Sequence, residues 1–453
     1  MKSNTFKIKK GLDIKLMGEA DKVVAESNHS SVFAIKPTDF VGVIPKMMVK
    51  AGEEVKAGQA LFYSKTDERV KFSSPVSGEI AEIVRGEKRK ILEVRIIPDA
   101  SNSFANFNAD TNSVDGIKKA LLESGCWPFI RQRPYGVIAN PDHTPKSIHV
   151  SCFDSNPLGP DVNFVMRGQE EAFKKGIEIL KKMTSGAVHL NMSAEPGAEK
   201  SFESAEGVQN NYFSGPHPAS NIGVQINKIE PINKGDIIWY CYPQEVVTIG
   251  KLFSSGQVDM TRIVALTGSR VKNPKYFKTT VGAQIKALTD ANIEEGDNRV
   301  ISGNVLTGQN TGTDGFLGFY DSQITVLPEG NQHKFFLTDG WLSPGLSKKR
   351  FSMSKAYPSW LFPNKKYDLD TNINGEERAF VVTGQMEKVF PFDIYPMHLI
   401  KSIMYNDIDE MEKLGIYEVD AEDFALCEVV CTSKINIQEI VRNGLENLRA
   451  EMA

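Results

Sequence analysis

Cysteine is sparse: five residues, at positions 126, 152, 241, 427 and 431 of 453. Their number and scatter exclude a disulfide framework and fit free thiols in a reducing cytosol. Glycine is plentiful, but no two of the 36 glycines are separated by a single residue. A G-x-G-x-x-G loop of dinucleotide or kinase type is therefore excluded, and no Walker A string is present. No uninterrupted apolar run approaches the roughly 18 residues of a membrane span. The opening MKSNTFKIKKGLDIK is charged and alternating, which predicts neither a signal peptide nor a transit helix and hence a soluble or peripheral protein. Neither sign of charge dominates, and a formal net charge of -4 argues against broad nucleic-acid binding. The seven histidines show no paired ligand spacing, so no metal site is expected.

What is present is a globular balance, 41% hydrophobic and 24% charged, in a chain too long for one core. An α/β multidomain protein of about three or four units is expected. In residues 1–100, VKAGEEVKAGQALFYSKTDERVKFSSPVSGEI sets short β-rich runs between the turns Ala51-Gly52, Ala57-Gly58 and Ser77-Gly78. These residues resemble the lipoyl and biotinyl carrier domain, a barrel-sandwich. Matching Thr66-Asp67 to the carrier hairpin puts Glu68 where the acylated lysine belongs, and a glutamate cannot be acylated. The unit reads as a structural module.

After a polar linker, residues 101–255 alternate helical and β-like runs, such as IKKALLESGCW, SIHVSCF, GAVHLNM and DIIWYCYPQEVVTIGKLF, which predicts a Rossmann-like α/β domain. Residues 256–332 place RIVALTG, NRVISGNVL and SQITVL around a helical TVGAQIKALTD, a β-grasp (ubiquitin-like) pattern. Residues 333–453 begin with a Pro-, Lys- and aromatic-rich stretch and end as a C-terminal helical domain. There Ile437, Ile440, Val441 and Leu445 recur at helical spacing.

This order, together with the strings IKKGLDI, SCFDSNPLGPDVNFV, GPHPASNIG, GKLFSSG and RVISGNVLTG, resembles the A subunit of the sodium-translocating NADH:quinone oxidoreductase over essentially the whole chain. It is similar, more distantly, to the C subunit of the Rnf complex and to the flavin-binding subunit of respiratory complex I, relatives that hold FMN and accept NADH. In those relatives a G-x-G-G-A-G-F-P loop cradles the flavin phosphate with backbone N–H groups. Here the corresponding stretch is ESGCWPFIRQRPYG, Glu123 to Gly136. Trp127, Pro128 and Phe129 obstruct a close backbone approach, and Pro128 lacks an N–H, so no FMN is expected. Asp154, in CFDSNP, stands where the relatives carry a glutamate, or else caps a turn. Trp127, Phe129, Arg131 and Arg133 offer an apolar slot and donors for a quinone in the vacated space. Alternatively the two aromatics fill that space and the arginines are surface charges. On the quinone reading, Trp127→Ala weakens quinone binding beyond its cost in stability.

Cys427 and Cys431 fall on the third and fourth places of a C-x2-C-x2-C-x3-C-P cluster motif, but Ala421 and Phe424 occupy the first two and Thr432 replaces the proline. The upstream copy, ending at Tyr395-Pro396, has Gln385, Lys388 and Pro391 at its other three places. Two of eight thiolates cannot hold an iron–sulfur cluster, and the pair reads as buried thiols on one helix face. His217, between two prolines, reads as loop-shaping. The resemblance implies a peripheral protein of a respiratory complex, on the cytoplasmic face of the bacterial inner membrane. Its ligand would be ubiquinone, it would hold no FMN and no Fe–S cluster of its own, and its partners would be the other subunits of the complex. The segment 347–367 mixes cations and aromatics as a partner or headgroup contact would. Two competing readings are an NADH-oxidising FMN/Fe–S subunit of Rnf type and a cofactor-free scaffold.

Overall fold

The computed structural model describes residues 4–27, 29–197, 201–202, 205–332, 364–373 and 375–452. Residues 33–98 form two small sheets packed face to face. One runs Phe33–Ile35, Ile91–Pro98, Gly78–Arg85, Glu54–Val55, and the other Pro45–Met47, Ala60–Ser64, Asp67–Ser73. Alternation along these strands sends Phe62, Phe72, Ile80, Val94 and Ile96 inward, each fully buried. A Cβ on Gly78 would stand 2.0 Å from the Ile97 carbonyl oxygen, so only glycine fits that crossing. Ser64 pairs with Asp67, which makes Lys65 and Thr66 the hairpin turn and puts Glu68 on the following strand, not at the tip where the sequence match sets it.

The first two strands do not join this unit, although the sequence groups them with it in 1–100. Asn4–Lys7 adds in parallel to Gln209–Ser214, and Asp21–Glu26 adds in parallel to Lys275–Thr280. Each satisfies an open sheet edge, whose free N–H and C=O groups accept any extended segment that reaches them.

The seven-stranded sheet runs Asn4–Lys7, Gln209–Ser214, Val188–Ser193, Ile148–Ser151, Ile238–Cys241, Arg131–Arg133, Val137–Ile138. Its first five strands are mutually parallel, Arg131–Arg133 runs antiparallel to them, and Val137–Ile138 pairs antiparallel with Arg131–Arg133. One face packs on helices Val114–Ser124, Glu170–Lys182 and Pro243–Ser255. Ser113 caps the first of these by accepting from the Gly116 N–H at 3.0 Å, and Gly125 ends it in the left-handed region. The other two cross closely: a Cβ on Gly250 would sit 1.8 Å from the Ala172 carbonyl oxygen.

The opposite face carries helix Ile222–Ile229 and the C-terminal helices Pro396–Met404, Ile408–Lys413, Ala425–Val430 and Ile437–Glu451. Leu399, Ile400, Met411, Val441 and Leu448 close this second core. At about 1.5–3 kcal/mol for each fully buried large apolar side chain, the C-terminal helices are held chiefly by this interior. Helix Ala425–Val430 is only six residues long, and Cys431 follows it with extended backbone (φ -63°, ψ 115°). Cys427 and Cys431 are both buried, but they do not share a helix as expected.

The third layer is a six-stranded sheet in the order Gln309–Asn310, Asn298–Ser302, Gln323–Pro328, Thr261–Thr267, Lys275–Thr280, Asp21–Glu26. The helix expected across 280–290 contracts to Lys286–Thr289. Gly282 takes φ +75° and a Cβ there would meet the Ala34 carbonyl oxygen at 2.3 Å, while Ala283 and Gln284 form β-bridges to Phe33 and Phe316. Backbone pairing to neighbours outcompetes the local helical tendency. Most of the segment 347–367 lies outside the described residues.

Candidate functional site

In open α/β sheets the crevice for ligands lies beyond the carboxyl ends of the parallel strands. A cavity of about 200 Å³ lies there, past Ile148–Ser151 and Ile238–Cys241. Phe153 and Asp154 follow the first strand into its wall, and Tyr242 and Glu245 follow the second. Arg262 comes from the six-stranded sheet, Tyr320 and Asp321 from the turn before its strand Gln323–Pro328, Glu422 from the C-terminal segment, and His217 and Asn221 from the loop before Ile222–Ile229. Three parts of the chain therefore meet around one space.

Arg131 dominates it. Its guanidinium lies 4.1 Å from the ring centroid of Tyr320, 4.9 Å from Tyr240 and 5.1 Å from Tyr242, and its Nη2 is 3.2 Å from Glu245 Oε1. The π-faces and the carboxylate compensate a desolvated cation. Arg131 Nε is buried and has no hydrogen-bond partner among the described residues. Glu245 accepts from the Tyr242 N–H at 2.7 Å, closing the first turn of its helix. Burial pushes the Glu245 carboxyl above its ordinary range, against the pull of Arg131 and Arg262. Arg262 donates to the carbonyls of Phe319 and Asp321, at 2.9 and 3.3 Å. The Tyr320 hydroxyl donates to the Pro128 carbonyl at 2.7 Å.

Asp154 lines the cavity and also makes the turn. Its Oδ1 accepts from the backbone N–H and the side-chain amide of Asn156, both at 2.7 Å. Burial raises its pKa. Gly159 is dictated by that turn, since a Cβ there would come within 2.8 Å of the Asp154 carboxylate. His217 is buried in the wall, 3.2 Å from Ser155 Oγ through Nδ1, and burial pushes it down to about 4.

The remaining residues singled out from sequence lie elsewhere, for reasons the packing makes plain. Trp127 is fully buried, donates from Nε1 to the Ala139 carbonyl at 2.7 Å and meets Trp239 edge-on. Phe129 is fully buried and stacks on Phe319 at 4.8 Å, which touches Phe40 of the barrel-sandwich. Both aromatics join layers and neither lines the cavity. Arg133 is neither a surface charge nor a cavity donor. Wholly buried, it ion-pairs with Glu422 at 2.6 Å, Asp423 at 3.2 Å and Asp420 at 3.7 Å. Tyr242, Glu245, Arg262 and Tyr320 went unnoticed in sequence because nothing local distinguishes them.

The histidines hold a second surprise. His149 and His189, 40 positions apart, are direct partners on adjacent parallel strands, and both face Glu230. No ligand spacing marks them, but each is the second residue of its strand, in IHVS and VHLNMS. Two β-runs with histidine at the same place were the available signal.

Three family models match the chain. They are described as an NqrA N-terminal barrel-sandwich hybrid domain over residues 6–99, an NqrA second alpha/beta domain over residues 112–258 and an NQRA C-terminal domain over residues 263–312. Among curated proteins, the chain is 36% identical over 453 residues to the A subunit of the Na(+)-translocating NADH-quinone reductase of Alcanivorax borkumensis, covering 98% of this chain and 100% of that one. It is 35% identical to the protein of the same name from Vibrio atlanticus, covering 98% and 99%. The Hahella chejuensis counterpart is 37% identical, covering 98% and 100%.

Proposed function

The chain belongs to the NqrA family, the A subunits of the Na(+)-translocating NADH-quinone reductase, and on that footing we propose that the cavity beside Arg131 receives a quinone headgroup. Family membership makes the chain one subunit of an oxidoreductase complex, with the other subunits as its partners. The observation that carries the quinone reading is Arg131. A cation flanked by three tyrosine rings, with a buried donor left over at Nε, offers a planar dicarbonyl both a stacking surface and a hydrogen bond. Phe153, Val162 and Val165 supply apolar wall. A space of about 200 Å³ is smaller than the roughly 300 Å³ at which drug-sized pockets begin, a size that suits a single ring.

A flavin does not fit the neighbouring loop. The amides of Cys126, Phe129 and Ile130 donate within the loop, to Leu121, Cys126 and Trp127, and Pro128 has none to give. No run of N–H groups is left for a phosphate. An iron–sulfur cluster lacks ligands at Ala421 and Phe424, and Cys427 and Cys431 are packed in an apolar interior. The reading is therefore a subunit that contributes a quinone site, ubiquinone being the quinone favoured, and leaves flavin and iron–sulfur chemistry to its partners. Peripheral attachment at the cytoplasmic face of the membrane, through those partners, belongs to the same proposal. No helix among the described residues is long and apolar enough to cross a membrane.

The test is steady-state NADH:quinone reductase kinetics of the whole complex carrying Arg131→Lys, beside quinone titration of the purified chain. Lysine keeps the charge but loses the flat, stacking guanidinium. The expected result is a quinone KM raised about tenfold or more with kcat and partner content retained. An unchanged KM and no saturable quinone response in the wild-type chain would leave a scaffold. Stoichiometric flavin absorbance in the isolated chain would favour an Rnf-like flavoprotein.

A further inference from the structure

Away from the cavity, near the amino-terminal end of the same strands, His149, His189 and Glu230 converge. The two histidines are in direct register on Ile148–Ser151 and Val188–Ser193, with rings stacked at 4.4 Å and 13°. Parallel pairing without stagger points both imidazoles the same way. Their Nε2 atoms lie 2.8 and 3.7 Å from Glu230 Oε1, and the three ligand atoms fall within 4.8 Å of one another. Glu230 is the residue that ends helix Ile222–Ile229, so its carboxylate is delivered from a separate element. Ser147 Oγ adds an oxygen 3.1 Å from His149 Nε2.

We propose that His149, His189 and Glu230 form a binding site for a divalent transition-metal ion, zinc being the best match, which clamps the carboxyl end of helix Ile222–Ile229 to the parallel sheet. Two imidazole nitrogens and one carboxylate, with a fourth position open, are a recurrent zinc donor set. Tetrahedral ligands about 2.0–2.1 Å from zinc stand roughly 3.4 Å apart, between the two separations seen here. Softer thiolate-seeking ions are disfavoured by the N/O donors, and calcium or magnesium by the imidazoles.

Each imidazole is also gripped from behind. The Asn191 amide is 3.4 Å from His149 Nδ1 and the Asn211 amide 3.2 Å from His189 Nδ1, and the two amides hydrogen-bond each other at 3.0 Å. As oriented they donate to Nδ1, which keeps the imidazole proton on Nε2 and aims it at Glu230. Metal at Nε2 needs the proton on Nδ1 and an amide oxygen facing it. Amide nitrogen and oxygen exchange places by a half-turn of nearly the same shape, and the linked pair would turn together. Asn191 also donates to Gln225 Oε1 at 3.0 Å, a bond that the turn gives up. The metal-free form is thus a satisfied hydrogen-bond cluster, and entry of the ion shifts one proton on each imidazole from Nε2 to Nδ1.

The experiment uses the full-length chain, stripped with a chelator and titrated with zinc alone and with cobalt alone, followed by calorimetry, thermal melting and visible absorption. One saturable equivalent, a rise in melting temperature and cobalt d–d bands of a nitrogen/oxygen site are expected. Glu230→Gln and His189→Gln should each weaken binding about tenfold or more, with the zinc-induced rise in melting temperature measured against each variant's own metal-free value. Asn191→Asp, which presents an acceptor to His149 Nδ1 permanently, should tighten it by about tenfold. Absence of a saturable equivalent in the wild type overturns the proposal. So does wild-type affinity in Glu230→Gln or in His189→Gln. Because none of these readouts involves quinone, failure here leaves the cavity reading untouched, and the converse holds.

Discussion

The Arg131 guanidinium and the Tyr320 ring face each other at 4.1 Å, across the boundary between the seven-stranded and six-stranded sheets. The tyrosine is doubly employed, since its hydroxyl also donates to the Pro128 carbonyl at 2.7 Å. The two jobs separate by mutation. Tyr320→Phe keeps the ring and should leave the quinone KM of the complex within about twofold, at a stability cost of about 1 kcal/mol for the lost hydrogen bond. Tyr320→Leu removes the ring and should raise KM by roughly 3- to 30-fold, the worth of a partly desolvated cation–π contact. Equal KM in the two variants would remove the ring from the site.

Trp127→Ala is expected to act on stability alone. The indole is fully buried against Trp239 and lines no part of the cavity, so truncation should cost about 3–5 kcal/mol, read as a shift in the urea midpoint. Whatever folded fraction survives should bind quinone with wild-type affinity. A selective loss of affinity would bring back the role expected from sequence.

Arg133 neutralises a buried acidic cluster that arrives from the C-terminal segment, 287 to 290 positions later. Arg133→Met should destabilise by about 3–5 kcal/mol, because Asp423 loses its counter-charge while still buried. Adding Asp423→Asn should recover part of this, and a double-mutant cycle by chemical denaturation measures the coupling. Strict additivity of the two changes would deny it.

His189 and His217 set an acid limit. Burial pushes both down to about 4, helped at His189 by His149 beside it, whereas an unfolded histidine titrates near 6.5. Above that pH both states are neutral and nothing changes. Below it the unfolded chain takes up protons first, so stability falls from about pH 6.5 to about pH 4, by on the order of 3 kcal/mol per histidine. Melting temperature measured from pH 8 to pH 4 should fall across that window, and His217→Gln should flatten the fall. A flat profile between pH 6.5 and 4.5 in the wild type would contradict this.

Much of the fold was readable where the signal is local. Ser113 and Gly125 bracket a helix as capping chemistry dictates, and the glycine turns of 33–98 delimit short strands as their spacing suggests. Reading failed where distant pairing decides. TVGAQIKALTD has a helical period but spends its first residues on backbone bridges, and the first two strands leave their sequence neighbours for open edges 200 and more positions away. Of the five residues picked for the site, Arg131 and Asp154 line the cavity and the other three do not.

The order of units, the thinness of the cysteine set, the missing glycine loop and the family strings are properties of short stretches, and the amino-acid sequence alone determined them. Arg131 and Arg133 show what it left open. They sit two apart on one strand and point to one face, chemically identical and indistinguishable by pattern. Tertiary packing laid three carboxylates over one and three tyrosine rings around the other. The same holds for His149 and His189, whose contact depends on the register of two parallel strands 40 residues apart. Propensity and alternation act over a few residues, but register and the placement of a void are set by how whole layers close on one another.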